Sequence, residues 1–238
     1  MLDNTKDLLK ETYGFKENTF ELYERALKDC EEQFKMYDEI REFNQMKVLK
    51  AFQDERISDS HFTNSSGYGY DDMGRDSLDK VYARIFKAES AIVRPHFVNG
   101  THAIGSALFG NLRPGNTLLC VSGKPYDTLH NIIGISGDEN IGSLKEYGVN
   151  YGQVDLTDEG KFDLEGIKKA LEDSSVRIVH IQRSTGYGWR NSFSVKEIGE
   201  VISYIKGIRN DINVFVDNCY GEFIDVIEPT EVGADIIA

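Results

Sequence analysis

The chain has 238 residues, of which 40% are hydrophobic and 28% charged, and its formal net charge is −13. This length suits one large α/β domain with an appendage, or two small domains. The negative charge argues against nucleic acid and against anionic membranes as partners, because both recruit lysine and arginine. No apolar run is long enough to span a bilayer, and we expect no signal peptide.

The three cysteines, Cys30, Cys120 and Cys219, are far apart and form no CxxC motif. An odd number of widely spaced cysteines is typical of reduced thiols. Disulfides persist mainly in oxidising compartments, so we expect a cytoplasmic protein.

The first 57 residues are predicted to form a helical segment. Asn18 is a candidate N-cap, with Glu21 three residues later as in a capping box. Apolar residues then recur at steps of three and four, as on one face of a helix: Phe20, Tyr23, Leu27, Cys30, Phe34 and Tyr37. This helix either packs on its own domain or serves as an arm at a subunit interface.

Residues 58–238 are predicted to form one α/β domain. Asp76 or Ser77 should cap a helix with the inner face Leu78, Val81, Tyr82, Ile85 and Phe86. Short β-rich runs follow at 91–93, 117–121, 149–155, 176–182 and 212–217, and residues 233–238 also read as a strand. Helical stretches lie between them near 101–110, 127–135, 163–173 and 194–208, the last opening with a Ser194/Glu197 capping box. This alternation predicts a mostly parallel sheet with helices on its faces, whose ligands bind beyond the carboxyl ends of the strands.

Three segments at those strand ends carry candidate chemistry. In the segment 99–102, Gly100 and Thr101 begin a helix whose free backbone N–H groups could bind a phosphate, although a glycine here could also serve packing alone. Tyr126 lies on a strand-to-helix turn, where it either stacks on a planar ligand or covers the rim of the core. Asp217 ends an apolar strand, where its carboxylate could pair with a cationic ligand or cap a helix.

In this order, the segments resemble the cofactor site of fold-type I pyridoxal 5′-phosphate (PLP) enzymes. The chain is most similar to the cystathionine and methionine γ-lyase group, and within it to the branch described as aluminium-resistance proteins. The resemblance runs from about residue 60 to the end and depends on five segments: GYGYDDMGRDSLDKVYARIF (67–86), NGTHAI (99–104), PYDTLH (125–130), IQRSTGYGWR (181–190) and VDNCYGEF (216–223).

The resemblance implies a fold-type I α/β domain that binds PLP. By analogy, the backbone of Gly100, Thr101 and His102 would hold the cofactor phosphate. Tyr126 would stack on the pyridine ring and act in proton transfer. Asp217 would pair with the pyridinium nitrogen, keeping the ring cationic and able to accept electrons.

The resemblance also implies residues from a second subunit and a substrate site. Tyr70 and Arg75 are the candidates for completing the phosphate site of a neighbouring subunit, which requires at least a homodimer and is compatible with a homotetramer. Arg183 or Arg190 could bind the carboxylate of an amino-acid substrate, because a planar guanidinium suits such a group. Ser184-Thr185-Gly186 stands where relatives carry an asparagine that touches the cofactor. The remaining histidines show no metal-ligand spacing, and we assign no metal site.

In such enzymes a Schiff-base lysine follows the strand after the aspartate. No lysine follows Asp217 here, and we expect it just beyond Ala238, with this chain a segment of a longer polypeptide. A natural end at this point would leave an apolar sheet edge exposed.

The leading hypothesis is therefore a PLP-dependent carbon–sulfur lyase acting on a sulfur-containing amino acid by β- or γ-elimination. The alternative is a non-catalytic module of the same fold that binds phosphate compounds or protein partners. An NAD or nucleotide-sugar enzyme is disfavoured, because GxGxxG is absent.

Overall fold

A computed structural model describes residues 3–65, 71–137 and 139–238. The chain divides into two compact units, Met1–Phe43 and Asn44–Ala238. The predicted limit of the cofactor domain near residue 57 remains a prediction. In the described part of the chain, no helix is both long and apolar enough to cross a membrane.

The first unit contains three helical stretches. Helix α1 spans Asp3–Tyr13, α2 spans Glu17–Asp29, and the first half of α3 (Glu31–Asp54) completes the unit. The single helix that the apolar periodicity predicts is therefore interrupted at Cys30.

The predicted N-cap at Asn18 is wrong. Helix α1 ends in a turn at Gly14, whose φ is +70°, so the next helix begins before Asn18 is reached. Lys16 occupies the N-cap position, and its side chain makes no capping hydrogen bond. Asn18 lies inside the first turn of α2.

Helices α1 and α2 bury a single described residue, Phe20. The ammonium nitrogens of Lys6 and Lys10 lie 5.6 and 5.5 Å from the centroid of its ring. Lys6 also pairs with Glu24 at 2.7 Å, and Lys10 with Glu17 at 2.5 Å. Charged stems therefore cover the apolar centre of this unit.

The second unit begins with the end of α3, followed by a 3-10 turn at Asp59–Phe62 and by α4 at Met73–Ile85. The predicted cap at Asp76 or Ser77 is wrong, because Asp72 accepts the hydrogen bond from the backbone N–H of Arg75 and begins the helix earlier.

The inner face of α4 is only partly as predicted. Val81 and Ile85 are buried against Ala51 of α3, whereas Leu78 and Tyr82 are largely exposed. The buried face is therefore narrower than the apolar pattern suggests.

Among the described residues, five parallel strands form one sheet in the order β2-β1-β3-β4-β5. They are β1 (Thr117–Cys120), β2 (Asn150–Gln153), β3 (Val176–Gln182), β4 (Asn213–Asp217) and β5 (Ile236–Ile237). The helices between them are α5 (Gly100–Asn111), α6 (Thr128–Ile133), α7 (Leu164–Ala170) and α8 (Val195–Ile208), and a 3-10 turn spans Pro229–Val232. The predicted parallel α/β architecture is confirmed.

Alternate residues of each strand point to opposite faces of the sheet. Leu118 and Cys120 of β1 face a core cluster built with α5 and α6. Leu119 faces the other cluster, which includes buried residues of α7 and α8. The sheet is buried on both sides, as all-parallel sheets require.

The strand predicted at 91–93 is wrong. The backbone N–H of Val93 donates to the carboxylate of Asp79 at 2.8 Å instead of to a neighbouring strand. Asp79 also binds the guanidinium of Arg94 at 2.6 Å. A short apolar run alone could not reveal that its hydrogen-bond partner is a side chain.

The capping box predicted for α8 is confirmed and supports a stability prediction. Ser194 accepts from the backbone N–H of Glu197, and the Glu197 carboxylate accepts from the N–H of Ser194 at 2.8 Å. Ser194→Ala should lower the free energy of unfolding by about 1 kcal/mol. The measurement is urea unfolding, with the exposed mid-helix Ser203→Ala as control, which should be neutral or slightly stabilising. Equal effects of both substitutions would contradict the capping role.

Candidate functional site

A cavity of about 840 Å³ lies beyond the carboxyl ends of the strands. Its volume is within the range of roughly 300–1,000 Å³ that small-ligand sites occupy. The lining comes from the start of α5 and from the segments that follow β1, β3 and β4, including Gly100, Thr101, Tyr126, Thr128, Arg183, Ser184, Tyr187, Asp217, Cys219 and Gly221. The structure thus brings together the three segments that the sequence singles out.

The N-terminus of α5 provides two backbone donors to this cavity. Asn99 is the N-cap, and its side chain accepts from the N–H of His102 at 2.9 Å. The next donor, the N–H of Ala103, binds the Asn99 carbonyl. Gly100 and Thr101 remain as first-turn N–H groups, which have no intrahelical partner and favour an anion.

Gly100 is also where the chain packs closely at this site. A side-chain carbon added there would lie 3.4 Å from the Cys219 sulfur. Thr101 donates to or accepts from the Thr128 hydroxyl at 2.7 Å, linking the starts of α5 and α6. Thr128 therefore adds a second hydroxyl to this end of the cavity.

Tyr126 lies at the cavity wall, where it is partly covered by another tyrosine. Its ring stacks on Tyr187 with centroids 5.4 Å apart and planes inclined by 28°. Its hydroxyl donates to the Tyr187 hydroxyl at 2.9 Å. This hydrogen bond raises the pKa of Tyr126 to about 12, so the phenol keeps its proton at neutral pH.

Asp217 ends β4 and is only 4% exposed. One carboxylate oxygen accepts from the N–H of Cys219 at 3.2 Å. Among the described residues, no lysine, arginine or histidine forms an ion pair with it. A buried carboxylate of this kind is costly unless a cationic or proton-donating group meets it.

Arg183 lies in the wall of the cavity and is fully buried. Its guanidinium donates to the carbonyls of Phe193 and Gly221 at 3.1 and 2.7 Å and to the side chain of Asn218 at 2.9 Å. It also pairs with Asp225 at 2.7 Å. Four of its five N–H donors are thus bound within the protein, so its predicted substrate role depends on the one that is left.

Arg190 is likewise held by its own loop. It donates to the carbonyls of Gln182, Ser184 and Asn191, and its guanidinium lies 4.7 Å from the ring centroid of Phe193. It is not among the described residues that line the cavity. Its role in substrate binding remains a prediction.

The other predicted site residues lie elsewhere. His102 is not among the described residues of the lining, and its ring nitrogen accepts from the N–H of Val98 at 3.3 Å. Arg75 is in the first turn of α4, where its side chain donates to Asp76 at 3.1 Å. Tyr70 lies outside the described residues. The roles of all three remain predictions.

The C-terminal half of α3 contacts the loop after β4. Asn44 donates to the carbonyls of Phe223 and Asp225 at 3.1 and 2.9 Å. Lys47 lies 3.5 Å from the buried Glu228 carboxylate. Because Asp225 pairs with Arg183, these contacts connect the helix to the wall of the cavity.

His180, Thr128 and Tyr187 lie in or beneath this site, although no sequence pattern predicts a role for them. Thr128 and Tyr187 fall within the segments 125–130 and 181–190, so their place in those segments was the one indication that they belong to the site. His180 is in the interior of a strand, and only its burial reveals it. The described residues contain no cluster of three or more metal-ligating side chains.

The fold is an α/β domain in which the N-terminus of a helix and a buried carboxylate line one cavity. The sequence model of the methionine γ-lyase family matches residues 19–238. The chain therefore belongs to the methionine γ-lyase family.

The chain is also similar to two curated bacterial proteins. The uncharacterised Bacillus subtilis protein YnbB is 50% identical over 204 residues, covering 86% of this chain and 48% of the relative. An uncharacterised 33.9 kDa Lactobacillus delbrueckii protein is 42% identical over 114 residues, covering 48% of this chain and 37% of the relative. The chain thus spans about half the length, or less, of the curated relatives it matches.

Solved structures extend the comparison over the whole chain. A carbon–sulfur lyase involved in aluminum resistance from Clostridium novyi is 62% identical with a TM-score of 0.95, covering 100% of this chain and 56% of that one. A Clostridium acetobutylicum protein, described as a candidate cystathionine beta-lyase involved in aluminum resistance, is 63% identical with a TM-score of 0.96, at 100% and 57% coverage. The PLP-dependent Escherichia coli protein YhfS shares the fold at 19% identity, with a TM-score of 0.61 over 83% of this chain and 50% of that one.

Gly221 allows the close approach of Arg183 and predicts a packing defect. A side-chain carbon at residue 221 would lie 2.6 Å from both a guanidinium nitrogen of Arg183 and the side-chain oxygen of Asn218. Gly221→Ala should therefore lower the free energy of unfolding by about 1–3 kcal/mol. Chemical denaturation measures this, with Gly110→Ala as control, because nothing lies within 4 Å of that position. An alanine tolerated equally at both positions would show that Arg183 is not tightly held.

The buried Glu228 predicts a pH-dependent contribution to stability. Burial raises its pKa above the ordinary value of 4.5. Because the folded-state pKa is raised, the stabilising contribution of Glu228 to the free energy of unfolding is fully present below the unfolded-state pKa. This contribution is lost as the pH rises through the folded-state pKa. The stability of Glu228→Gln relative to wild type should therefore increase as the pH rises from about 4.5 through the raised folded-state pKa.

Urea unfolding of both proteins across this range measures the difference. The exposed Glu200→Gln variant on α8 controls for the general effect of losing one carboxylate. A Glu228→Gln difference that stays constant with pH would show that the carboxylate is not penalised by burial.

Proposed function

We propose that this chain forms most of the PLP-binding domain of a lyase that breaks a carbon–sulfur bond in a sulfur-containing amino acid. The observation that carries the proposal is the cavity shared by the buried Asp217 and the start of α5, in a member of the methionine γ-lyase family. The chain spans about half the length of its relatives, so the activity is proposed for a polypeptide that also supplies the expected lysine.

The residues of the cavity fit the chemical groups of PLP. The backbone donors of Gly100 and Thr101 suit the phosphate dianion, because a helix N-terminus favours negative charge. The carboxylate of Asp217 needs a proton donor or a cation, and a pyridinium N–H is both. The side chain of Tyr126 offers an aromatic surface at the same cavity.

When bound to an amino acid, PLP supplies an electron sink that stabilises negative charge at the substrate α-carbon. The role of Asp217 is to keep a proton on the ring nitrogen, since a nearby carboxylate raises the pKa of that nitrogen. The helix start fixes the phosphate and thereby the orientation of the ring.

Tyr126 is proposed to donate a proton to the sulfur that leaves. A tyrosine hydroxyl carries its proton at neutral pH, as a proton donor requires, because its ordinary pKa is about 10. Tyr187, its hydrogen-bond partner, is 82% exposed. Displacement of Tyr187 by a substrate would release the Tyr126 hydroxyl for this step.

The products distinguish the two forms of elimination. Loss of the sulfur group from Cβ gives a thiol, ammonia and pyruvate, whereas loss of methanethiol from Cγ of methionine gives ammonia and 2-oxobutanoate. Identification of the 2-oxo acid therefore tells which form occurs. For the substrate carboxylate we propose either Arg183, through the one N–H donor that no described residue binds, or Arg190, which would have to leave the contacts of its own loop.

The proposed assembly is a homodimer or homotetramer in the cytoplasm. Arg75 is not among the described residues that line this chain's own cavity, as expected of a residue that serves the site of a neighbouring subunit. Its proposed partner in that role is Tyr70. The cysteines of the chain are free thiols, which suits a reducing compartment.

Binding of PLP to the protein tests the proposal. Wild type should bind PLP saturably, and inorganic phosphate should compete for the start of α5. Asp217→Asn should weaken binding by about tenfold or more, because a charge-assisted hydrogen bond is lost. The exposed Asp158→Asn, which removes the same charge, should bind like wild type.

Equilibrium dialysis gives the affinities, and the phosphate-free analogue pyridoxal isolates the contribution of the phosphate. Absence of saturable PLP binding would overturn the proposed cofactor. Binding that is equally tight in the Asp217 variant would overturn the proposed orientation of the ring.

A further inference from the structure

A row of buried polar side chains lies on the sheet face beneath Asp217. His180 of β3 is 1% exposed, and its ring packs edge-on against Phe215 with centroids 5.6 Å apart. In the register of the sheet, His180 is paired with Phe215 and Gln182 with Asp217. Residues two apart share a face of a strand, so His180, Gln182 and Asp217 all point to the side of α5.

One ring nitrogen of His180 is held by a thiol. Nδ1 lies 3.7 Å from the sulfur of Cys120 on the neighbouring strand β1. We assign the ring proton of the neutral histidine to Nε2, because the Asp217 carboxylate and the Gln182 side-chain oxygen on the same sheet face are both acceptors. Nδ1 then accepts the hydrogen of the buried thiol.

The imidazole is neutral at physiological pH. Burial lowers the pKa of His180 below its ordinary value of 6.5, and the opposing influence of the Asp217 charge is smaller. A neutral ring with Nδ1 as acceptor carries one hydrogen-bond donor, the Nε2–H group.

That donor and a nearby acceptor lack a partner within the described protein. Neither Nε2 of His180 nor the side-chain oxygen of Gln182 makes a hydrogen bond there. Gln182 is 5% exposed, and its amide nitrogen donates to the Ser184 carbonyl at 3.1 Å, which orients its oxygen. Buried polar atoms in proteins nearly always have partners, so these two atoms indicate a polar contact beside Asp217.

We propose that His180 and Gln182 are positioning residues that hold the Asp217 carboxylate through one buried water molecule. The Nε2–H of His180 donates to the water, and the water donates to Gln182 and to Asp217. The proposal that this serves a cofactor rests on the proposed function, whereas the contact itself does not.

The positions of His180 and Asp217 on neighbouring strands explain why a water molecule is needed between their side chains. His180 is paired with Phe215, two residues before Asp217, so His180 and Asp217 are diagonal neighbours on one face of the sheet. This placement agrees with the absence of an ion pair between His180 and Asp217 among the described residues. A water with three hydrogen bonds is typical of such buried positions.

The consequence for the site is a carboxylate with a fixed orientation. One oxygen of Asp217 accepts a hydrogen bond from the N–H of Cys219. The proposed water would donate a second hydrogen bond to the same carboxylate. A free oxygen lone pair is then directed into the cavity, toward the position that the proposed ring nitrogen would take.

Nuclear magnetic resonance tests the contact without any cofactor. The chain contains five histidines, so the ring nitrogens of His180 can be assigned with a His180→Gln variant. The expected spectrum at neutral pH shows the Nε2–H form, and Asp217→Asn should shift the His180 Nε2 resonance while Asp158→Asn does not. The Nδ1–H form, or a resonance indifferent to Asp217→Asn, would overturn the proposal.

A matched pair of substitutions tests the positioning role. The amide nitrogen of glutamine reaches the place of Nε2, whereas that of asparagine reaches only the place of Nδ1. His180→Gln should bind PLP within about twofold of wild type, and His180→Asn about tenfold more weakly. Urea unfolding of both variants shows whether they are equally folded.

The outcomes separate this inference from the proposed function. Affinity losses that are equal in the two variants, or that follow their loss of stability, would show that His180 only fills space. If wild type binds no PLP, the proposed function fails, and the resonance experiment still decides whether His180 is coupled to Asp217.

Discussion

The site depends on a carboxylate that is buried at the end of a strand. Asp217 is 4% exposed and has no ion-pair partner among the described residues. A charge taken out of water in this way is retained only if something else stabilises it. Here the direct backbone contact is the N–H of Cys219. The proposed water contact to His180 and Gln182 and the proposed ring nitrogen would supply further hydrogen bonds to this carboxylate.

The rest of the domain keeps that carboxylate in place. The strand that carries it is hydrogen-bonded on both sides, to β3 and β5. Arg183 ties the end of β3 to the loop after β4, and Asn44 holds the same loop from the opposite side. Because these contacts are buried or partly buried, the loop is positioned by the scaffold. The cavity wall is therefore hydrogen-bonded to the scaffold at Arg183 and exposed to solvent at Tyr187.

The parallel α/β architecture follows from the sequence because its signals are local. The strand Val176–Gln182 and the Ser194/Glu197 capping box are contiguous patterns, and both are found as expected. The start of α2 was missed because the turn at Gly14 lies outside the pattern that suggested Asn18. The prediction of a strand at 91–93 was wrong because the backbone N–H of Val93 donates to the side chain of Asp79 and not to a neighbouring strand.

The candidate site is only partly predictable from the sequence, because some of its contacts join residues that are far apart in the chain. Asp217 ends β4 and Tyr126 follows β1, and such positions share one edge of a parallel sheet. Gly100 and Thr101 begin a helix, and the strand predicted before them is not found. The internal bonding of Arg183 involves partners 10 to 42 positions away in sequence, which no local pattern reveals. The lack of a hydrogen-bond partner at Nε2 of His180 among the described residues likewise results from the packing of the sheet, and no local pattern reveals it.

The measurement to make is the structure of the protein with bound PLP. We expect the pyridine nitrogen within hydrogen-bond distance of an Asp217 carboxylate oxygen, with the phosphate on the backbone N–H groups of Gly100 and Thr101. A phosphate bound away from the start of α5, or a ring that does not approach Asp217, would contradict this expectation.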